Sequence, residues 1–326
     1  MRQEMRSAGE GRAVEARPAH ERPTIGLALS GGGARGWAHI GVIGSLRDLG
    51  IEPDIVCGTS IGALVGGAYV TGRMDDLADW LEQLRWRDVV GFLDVTLNGG
   101  FIEGKKLFDF FRRHFQDVAI ETLPRPYAAV ATRLDSGQEV WLREGSMLDA
   151  VRASIAFPGL FTPAVHNGRR LVDGVLTNPV PVSVCRALGA DVVIAVALQP
   201  NLRGRRPSKK KERSTLPSGQ APMSVSEGLI DKVKRTLVQS TISIMGSSRD
   251  ETPSVLDVVA SSVEIMQLRI MRSRMAGDPP EFMIMPQVPA LGFLDFHRAT
   301  EAMEAGRRAV DRVRGELEAF KAGLSE

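Results

Sequence analysis

Two glycine motifs in this chain carry the parts of an acyl-transfer site. Gly58-Thr59-Ser60-Ile61-Gly62 has the G-x-S-x-G spacing of a nucleophile elbow, a sharp strand-to-helix turn that lifts a serine hydroxyl into the open. Gly31-Gly32-Gly33-Ala34-Arg35-Gly36 ends the preceding apolar run. Glycines there can present backbone N–H groups to a developing oxyanion. A serine and a nest of donors leave a base still to be found.

Each motif has a rival reading. Ser60 could simply cap a helix in a tight turn. Gly31, Gly33 and Gly36 also spell G-x-G-x-x-G, the fingerprint of a dinucleotide site. Such a site wants an acidic residue about 20 positions on, at the C-terminal end of the second strand. Asp54 has roughly that spacing but follows Pro53 and precedes Ile55-Val56-Cys57. It therefore starts that strand and cannot reach a ribose at the other end. No Gly-Lys-Ser/Thr follows the glycines, so a Walker-type phosphate loop fails too.

The base has two candidates. Of the five histidines, His20 lies in a polar tail, His39 in the first helix, His114 on a surface-like helix and His166 at a hairpin turn. His297 is the one that completes the order serine, acid, histidine with Ser60 and Asp173. It opens a strongly charged helix without a turn signal to display its ring. Asp173 needs no histidine. It ends the run Leu171-Val172, precedes Gly174, and reads as a carboxylate at the edge of the sheet. A carboxylate there can take a serine proton if desolvation raises its pKa. The competing reading is an ordinary Asp-Gly turn.

These residues need elements to aim them. Ile25 to Leu29 is strand-like, and Ala34 to Leu49 reads as a helix stopped by Gly50. Ile55-Val56-Cys57 and the run from Ala63 to Tyr69 give Ser60 its strand and helix. Met74 to Arg87 and Gly104 to Phe115 read as further helices. Tyr127 to Leu134 and Glu139 to Leu142 flank a hairpin turn. Ser146 caps a helix through Ala153, and Asn167-Gly168 is a two-residue hairpin signal. A helix over Pro181 to Leu188 leads into a strand over Asp191 to Leu198. This alternation predicts an α/β fold with a mostly parallel sheet covered on both faces.

After Gln199 the composition changes. Residues up to Pro222 are rich in Pro, Ser, Gly and basic side chains, from Arg203 to Arg213. That reads as a mobile loop able to meet anionic headgroups. Helices over Val225 to Met245 and Pro253 to Met275 follow, then a strand over Glu281 to Met285 and a helix from Phe296 to Phe320. Eight of the twelve methionines lie between Met223 and Met303, a stripe read as core packing. The chain thus divides into a disordered tail over 1–23, a catalytic core over 24–200, a basic loop over 201–222 and a mostly helical part over 223–326 packing on the core.

Composition narrows the classes. With 326 residues, 43% of them hydrophobic, there is ample core. A net charge of +2 gives no strong nucleic-acid signal. Cys57 and Cys185 have no metal spacing, so neither a disulfide framework nor a metal site is expected. The first residues lack the apolar stretch of a signal peptide, and no run is long enough to span a membrane. A cytoplasmic protein is the expectation.

Five blocks, in this order, resemble the patatin-like phospholipases in their bacterial branch: the two glycine motifs, Ala153 to Phe161, Leu171-Val172-Asp173-Gly174, and Asn178-Pro179-Val180-Pro181. The resemblance runs from about Ile25 to Leu198. It implies a three-layer α/β/α fold with a helical C-terminal extension. It implies a dyad of Ser60 as nucleophile and Asp173 as base, flanked by the elbow glycines Gly58 and Gly62. Oxyanion N–H groups would come from Gly31, Gly32 and Gly33, with Arg35 supporting their loop. No cofactor and no metal are implied. The substrate would be a phospholipid or lysophospholipid, met by peripheral contact with the inner membrane face; a homo-oligomer stays open. Val175 stands where the family often has Gly or Ala.

Overall fold

A computed structural model describes residues 22–92, 105–114, 117–198, 255–288 and 291–324. The expected tail up to residue 21, the basic loop over 201–222 and the helix from Val225 to Met245 lie outside them.

Short runs that are apolar on both faces suit strands buried between two layers. Ile25–Leu29 (β1), Ile55–Thr59 (β2), Tyr127–Arg133 (β3), Glu139–Leu142 (β4), Ala164–His166 (β5), Arg169–Asp173 (β6), Val192–Val196 (β7) and Phe282–Ile284 (β8) form one eight-stranded sheet. Its order is β5-β6-β3-β2-β1-β7-β8, with β4 paired to β3. β8, β7, β1, β2 and β3 run parallel. β4 and β6 are antiparallel to β3, and β5 is antiparallel to β6. Asp173 is the last residue of β6, as its place before Gly174 suggested; β6 is flanked by β5 and β3, and the outer position belongs to the half-exposed β5. The Asn167-Gly168 turn, with φ of 49° and 73°, folds β5 back to make that cover.

Helices cover both faces. They are Ala38–Asp48 (α1), Ile61–Val70 (α2), Met74–Gln83 (α3), Trp86–Phe92 (α4), Lys105–His114 (α5), Met147–Ser154 (α6), Val182–Ala187 (α7), Val255–Gly277 (α8), Ala299–Asp311 (α9) and Arg314–Gly323 (α10). Leu27 and Leu29 of β1 pack into the cluster built with α1, α2, α3, α6 and α9. Ala28, one residue between, joins Cys57, Val184, Cys185 and Met271 on the opposite face, under α7 and α8. The period-two alternation of β1 thus divides the two helical layers. The fold is the α/β sandwich expected, and residues 282–284 add a strand to its sheet.

Three helical expectations change. The helix from Ala34 begins instead as a 3-10 turn over Gly33–Trp37, because the Ala34 N–H is taken by Phe293 O at 2.9 Å and Gly33 is left-handed at φ 59°. The run from Met74 is broken into α3 and α4 by Leu84, extended at ψ 119° and buried. The last helix is broken at Arg312-Val313. The methionine stripe is mixed: Met271 and Met303 are core, while Met266 is 48% exposed and Met285 40%.

Candidate active site

The elbow explains its glycines. Ser60 sits between β2 and α2 at φ 55°, ψ −125°, a conformation that costs of order 1–3 kcal/mol for a residue with a side chain. A Cβ on Gly58 would overlap Gly62 O and reach Ala63 N at 2.5 Å; one on Gly62 would overlap Leu29 O. Side-chain contacts hold the turn. The Ser60 N–H donates to Ser154 Oγ at 2.8 Å, and the Ser154 hydroxyl donates to Val130 O at 2.5 Å. The Thr59 hydroxyl donates to Asn178 O at 2.8 Å. Ser154, Thr59 and Asn178 were not singled out as site residues, although Ser154 and Asn178 lie in blocks that carry the family resemblance.

Asp173 ends β6 beside the elbow and is fully buried. The Ser60 hydroxyl donates to its Oδ2 at 2.7 Å, and the Val175 N–H donates to Oδ1 at 2.9 Å. Its backbone is tied at both ends, N–H to Ala156 O at 3.0 Å and O to the Thr132 hydroxyl at 3.0 Å. Burial pushes its carboxyl up to about 7, against the opposing pull of the Val175 N–H and the Ser60 hydroxyl. A carboxylate poised near neutrality and 2.7 Å from a serine hydroxyl is within proton-transfer reach. Val175 fits without a positive φ, and its Cγ1 fills the space a Cβ on Gly31 would need.

The glycine loop lies beside Ser60, and its amides divide. The Gly31 N–H is committed to Pro179 O at 3.1 Å and the Ala34 N–H to Phe293 O at 2.9 Å. Among the described residues, the N–H groups of Gly32 and Gly33 have no partner. Gly31 therefore contributes room rather than a free donor. A side chain on Gly33 is barred by its φ of 59° and by Phe293 O, 2.5 Å from where its Cβ would lie. Arg35 is buried; its Nε donates to Gly32 O at 3.2 Å and its guanidinium pairs with Glu264 of α8. Glu264 lies 229 residues away in sequence, and no sequence signal marked it.

Ser60 opens onto an apolar pocket of about 800 Å³, counting its open mouth. Trp37, Trp80, Leu107, Phe111, Phe157 and Phe293 are among the walls, and among the described lining residues Ser60 alone carries a hydroxyl group. The size and apolar lining of the cavity suit an alkyl chain.

The rival residues sit elsewhere. His297 packs its ring against Trp86, centroids 5.4 Å apart, and no histidine among the described residues bonds Ser60 or Asp173. His39 donates from Nε2 to Ser30 O at 2.8 Å, and burial lowers its pKa to about 4, so it stays neutral. Asp54 lies at the amino ends of β1 and β2, accepting from Ile25 N–H at 2.9 Å and pairing with Arg22. No helix among the described residues is long and apolar enough to cross a membrane.

A family model described as Patatin-like phospholipase matches residues 27–186. "Uncharacterized NTE family protein Rv1063c" of Mycobacterium tuberculosis (strain ATCC 25618 / H37Rv) is 33% identical over 338 residues, covering 92% of this chain and 92% of its own. "Patatin-like phospholipase domain-containing protein 6" of Mus musculus is 33% identical over 180 residues, 53% of this chain and 13% of that protein. The crystal structure of VipD from Legionella pneumophila covers 90% of this chain and 67% of that one, at 12% identity and a TM-score of 0.38.

Proposed function

The chain belongs to the patatin-like phospholipase family, lipid-ester hydrolases, and on that premise we propose a serine acyl hydrolase that cleaves acyl esters of phospholipids or lysophospholipids through Ser60 and Asp173. The observation that carries this reading is the 2.7 Å hydrogen bond from Ser60 Oγ to a buried carboxylate, at the wall of an apolar pocket. Asp173 takes the hydroxyl proton as Ser60 Oγ attacks the ester carbonyl. The tetrahedral oxyanion is received by the N–H groups of Gly32 and Gly33. Losing one such donor costs about 3–4 kcal/mol of barrier. Collapse passes the proton from Asp173 to the departing alcohol and leaves an acyl-Ser60. Water then attacks that ester, giving its proton to Asp173, and the fatty acid leaves with the serine restored. The bond network favours a two-residue machine over a triad with His297, since both Asp173 oxygens already have partners. A substrate of this kind is met at a membrane surface, so peripheral contact from the cytoplasmic side belongs to the same proposal.

A fluorophosphonate probe tests the nucleophile. Labelling is expected at Ser60 in the wild type and absent in Ser60→Ala. Lipid turnover followed by mass spectrometry should show free fatty acid released only by the wild type. A folded wild type that neither labels nor releases fatty acid would sink the proposal.

A further inference from the structure

The geometry points to α8 as the clamp that aims the oxyanion donors, with Glu264 and Gln267 as positioning residues. This rests on the hydrolase reading above, and α8 lies outside the 27–186 segment that the family model matches. A trans peptide is planar, with its N–H and C=O pointing opposite ways. Whatever holds the carbonyl therefore aims the amide of the next residue. The peptide from Gly31 to Gly32 has its carbonyl within 3.5 Å of Gln267 Nε2, and that peptide carries the free Gly32 N–H. The peptide from Gly32 to Gly33 has its carbonyl held by Arg35 Nε at 3.2 Å, and it carries the free Gly33 N–H. Arg35 is in turn fixed by Glu264, the pair's side chains being 7% and 20% exposed. Both free amides are thus the far ends of peptide planes tethered, directly or through Arg35, to one helix.

That helix is itself pinned. Val263, next to Glu264, packs with Phe157 and Val175, and Val175 fills the space beside Gly31. Near the other end Met271 enters the core, and Arg274 pairs with Glu139 at 2.5 Å. Glycine has no side chain to hold a loop in one conformation. A three-glycine loop therefore needs external tethers if its amides are to be preorganised before charge develops. The tethers act on the transition state and touch no substrate atom.

Glu264→Gln keeps the shape and removes the charge, and Gln267→Met keeps the volume and removes the donor. With p-nitrophenyl octanoate, Glu264→Gln is expected to lower kcat by about ten- to a hundredfold while KM stays within about twofold. Gln267→Met, losing the longer contact, should lower it severalfold. Affinity for octyl trifluoromethyl ketone, whose adduct with Ser60 places an oxyanion in the same spot, should fall by the same factor as kcat. In an Arg35→Met background, Glu264→Gln should add nothing further. Unchanged kcat in both variants overturns the clamp. So does a loss confined to KM, or a kcat loss with unchanged ketone affinity, which would mark a merely structural pair. A wild type without Ser60-dependent turnover overturns the hydrolase reading and the clamp together, whereas an active wild type matched by both variants sinks the clamp alone.

Discussion

Asp173 concentrates the chemistry into one titration. Its folded pKa of about 7 lies above the 3.8 of an unfolded aspartate, because burial disfavours the ion more than two hydrogen bonds restore it. A base must be ionised to act. The kcat/KM profile should therefore rise with pH through about 7 and flatten above it, and a profile flat from pH 5 to 9 would remove Asp173 from that role. Linkage gives the companion effect. The raised pKa favours the protonated fold, so the stability it contributes is present below about pH 4 and is lost as pH climbs through 7. The loss is at most of order 4 kcal/mol for three units of displacement. Asp173→Asn should abolish turnover yet make the protein more resistant to urea than wild type at pH 8.5, with the difference gone near pH 4. The pairing of Ser60 with Asp173 was legible in sequence because each sits in a local motif whose spacing states its geometry. Ser154 was half-legible, inside a recognised block but without a role. Glu264 and Gln267 were not legible at all, since a contact spanning 229 or 236 positions leaves no periodicity behind.

The elements follow a similar rule: what depends on local propensity was readable, and what depends on a distant partner was not. Strands β1, β2 and β7 came from their apolar runs. The 3-10 start before α1 did not, because it depends on Phe293 O capturing the Ala34 N–H. The break between α9 and α10 falls at Arg312-Val313, neither of them a Gly or Pro that would announce it. Two glycines of α1 separate the local effect from the packed one. A Cβ on Gly44 meets nothing within 4 Å, whereas one on Gly41 would overlap the Met303 carbonyl of α9, and Gly306 of α9 returns the close approach against Ala38 O. Gly44→Ala should therefore stabilise the protein by about 0.5–1 kcal/mol through helix propensity alone. Gly41→Ala gains the same propensity and must also push two helices apart, a net cost of about 1–3 kcal/mol. Urea midpoints of the two variants should move in opposite directions; a shift of the same sign would mean that the α1–α9 crossing is looser than its glycines require.

The whole molecule is needed to make the pocket. α3 and α5 give it Trp80, Leu107 and Phe111, the segment after α6 gives Phe157, and Phe293 closes it from more than a hundred residues further along the chain. Phe157 and Phe293 meet there at 4.8 Å between ring centroids, and the Trp37 indole N–H ties Phe296 O to the glycine loop's turn at 3.1 Å. Segments remote in sequence thus share one apolar wall, with Ser60 in the same lining. If that wall receives the acyl chain, each buried methylene should contribute about 0.8 kcal/mol to the transition state, roughly fourfold in kcat/KM. Across p-nitrophenyl esters from acetate upward, kcat/KM should climb by that step and then level off when the pocket is filled. Leu107 is only partly buried on α5, so a larger side chain there can intrude into the pocket without displacing core. Leu107→Trp should move the plateau to a shorter acyl chain while leaving the acetate ester almost unaffected. A flat profile in the wild type would mean that the chain lies outside the pocket and that the aromatic wall serves packing alone.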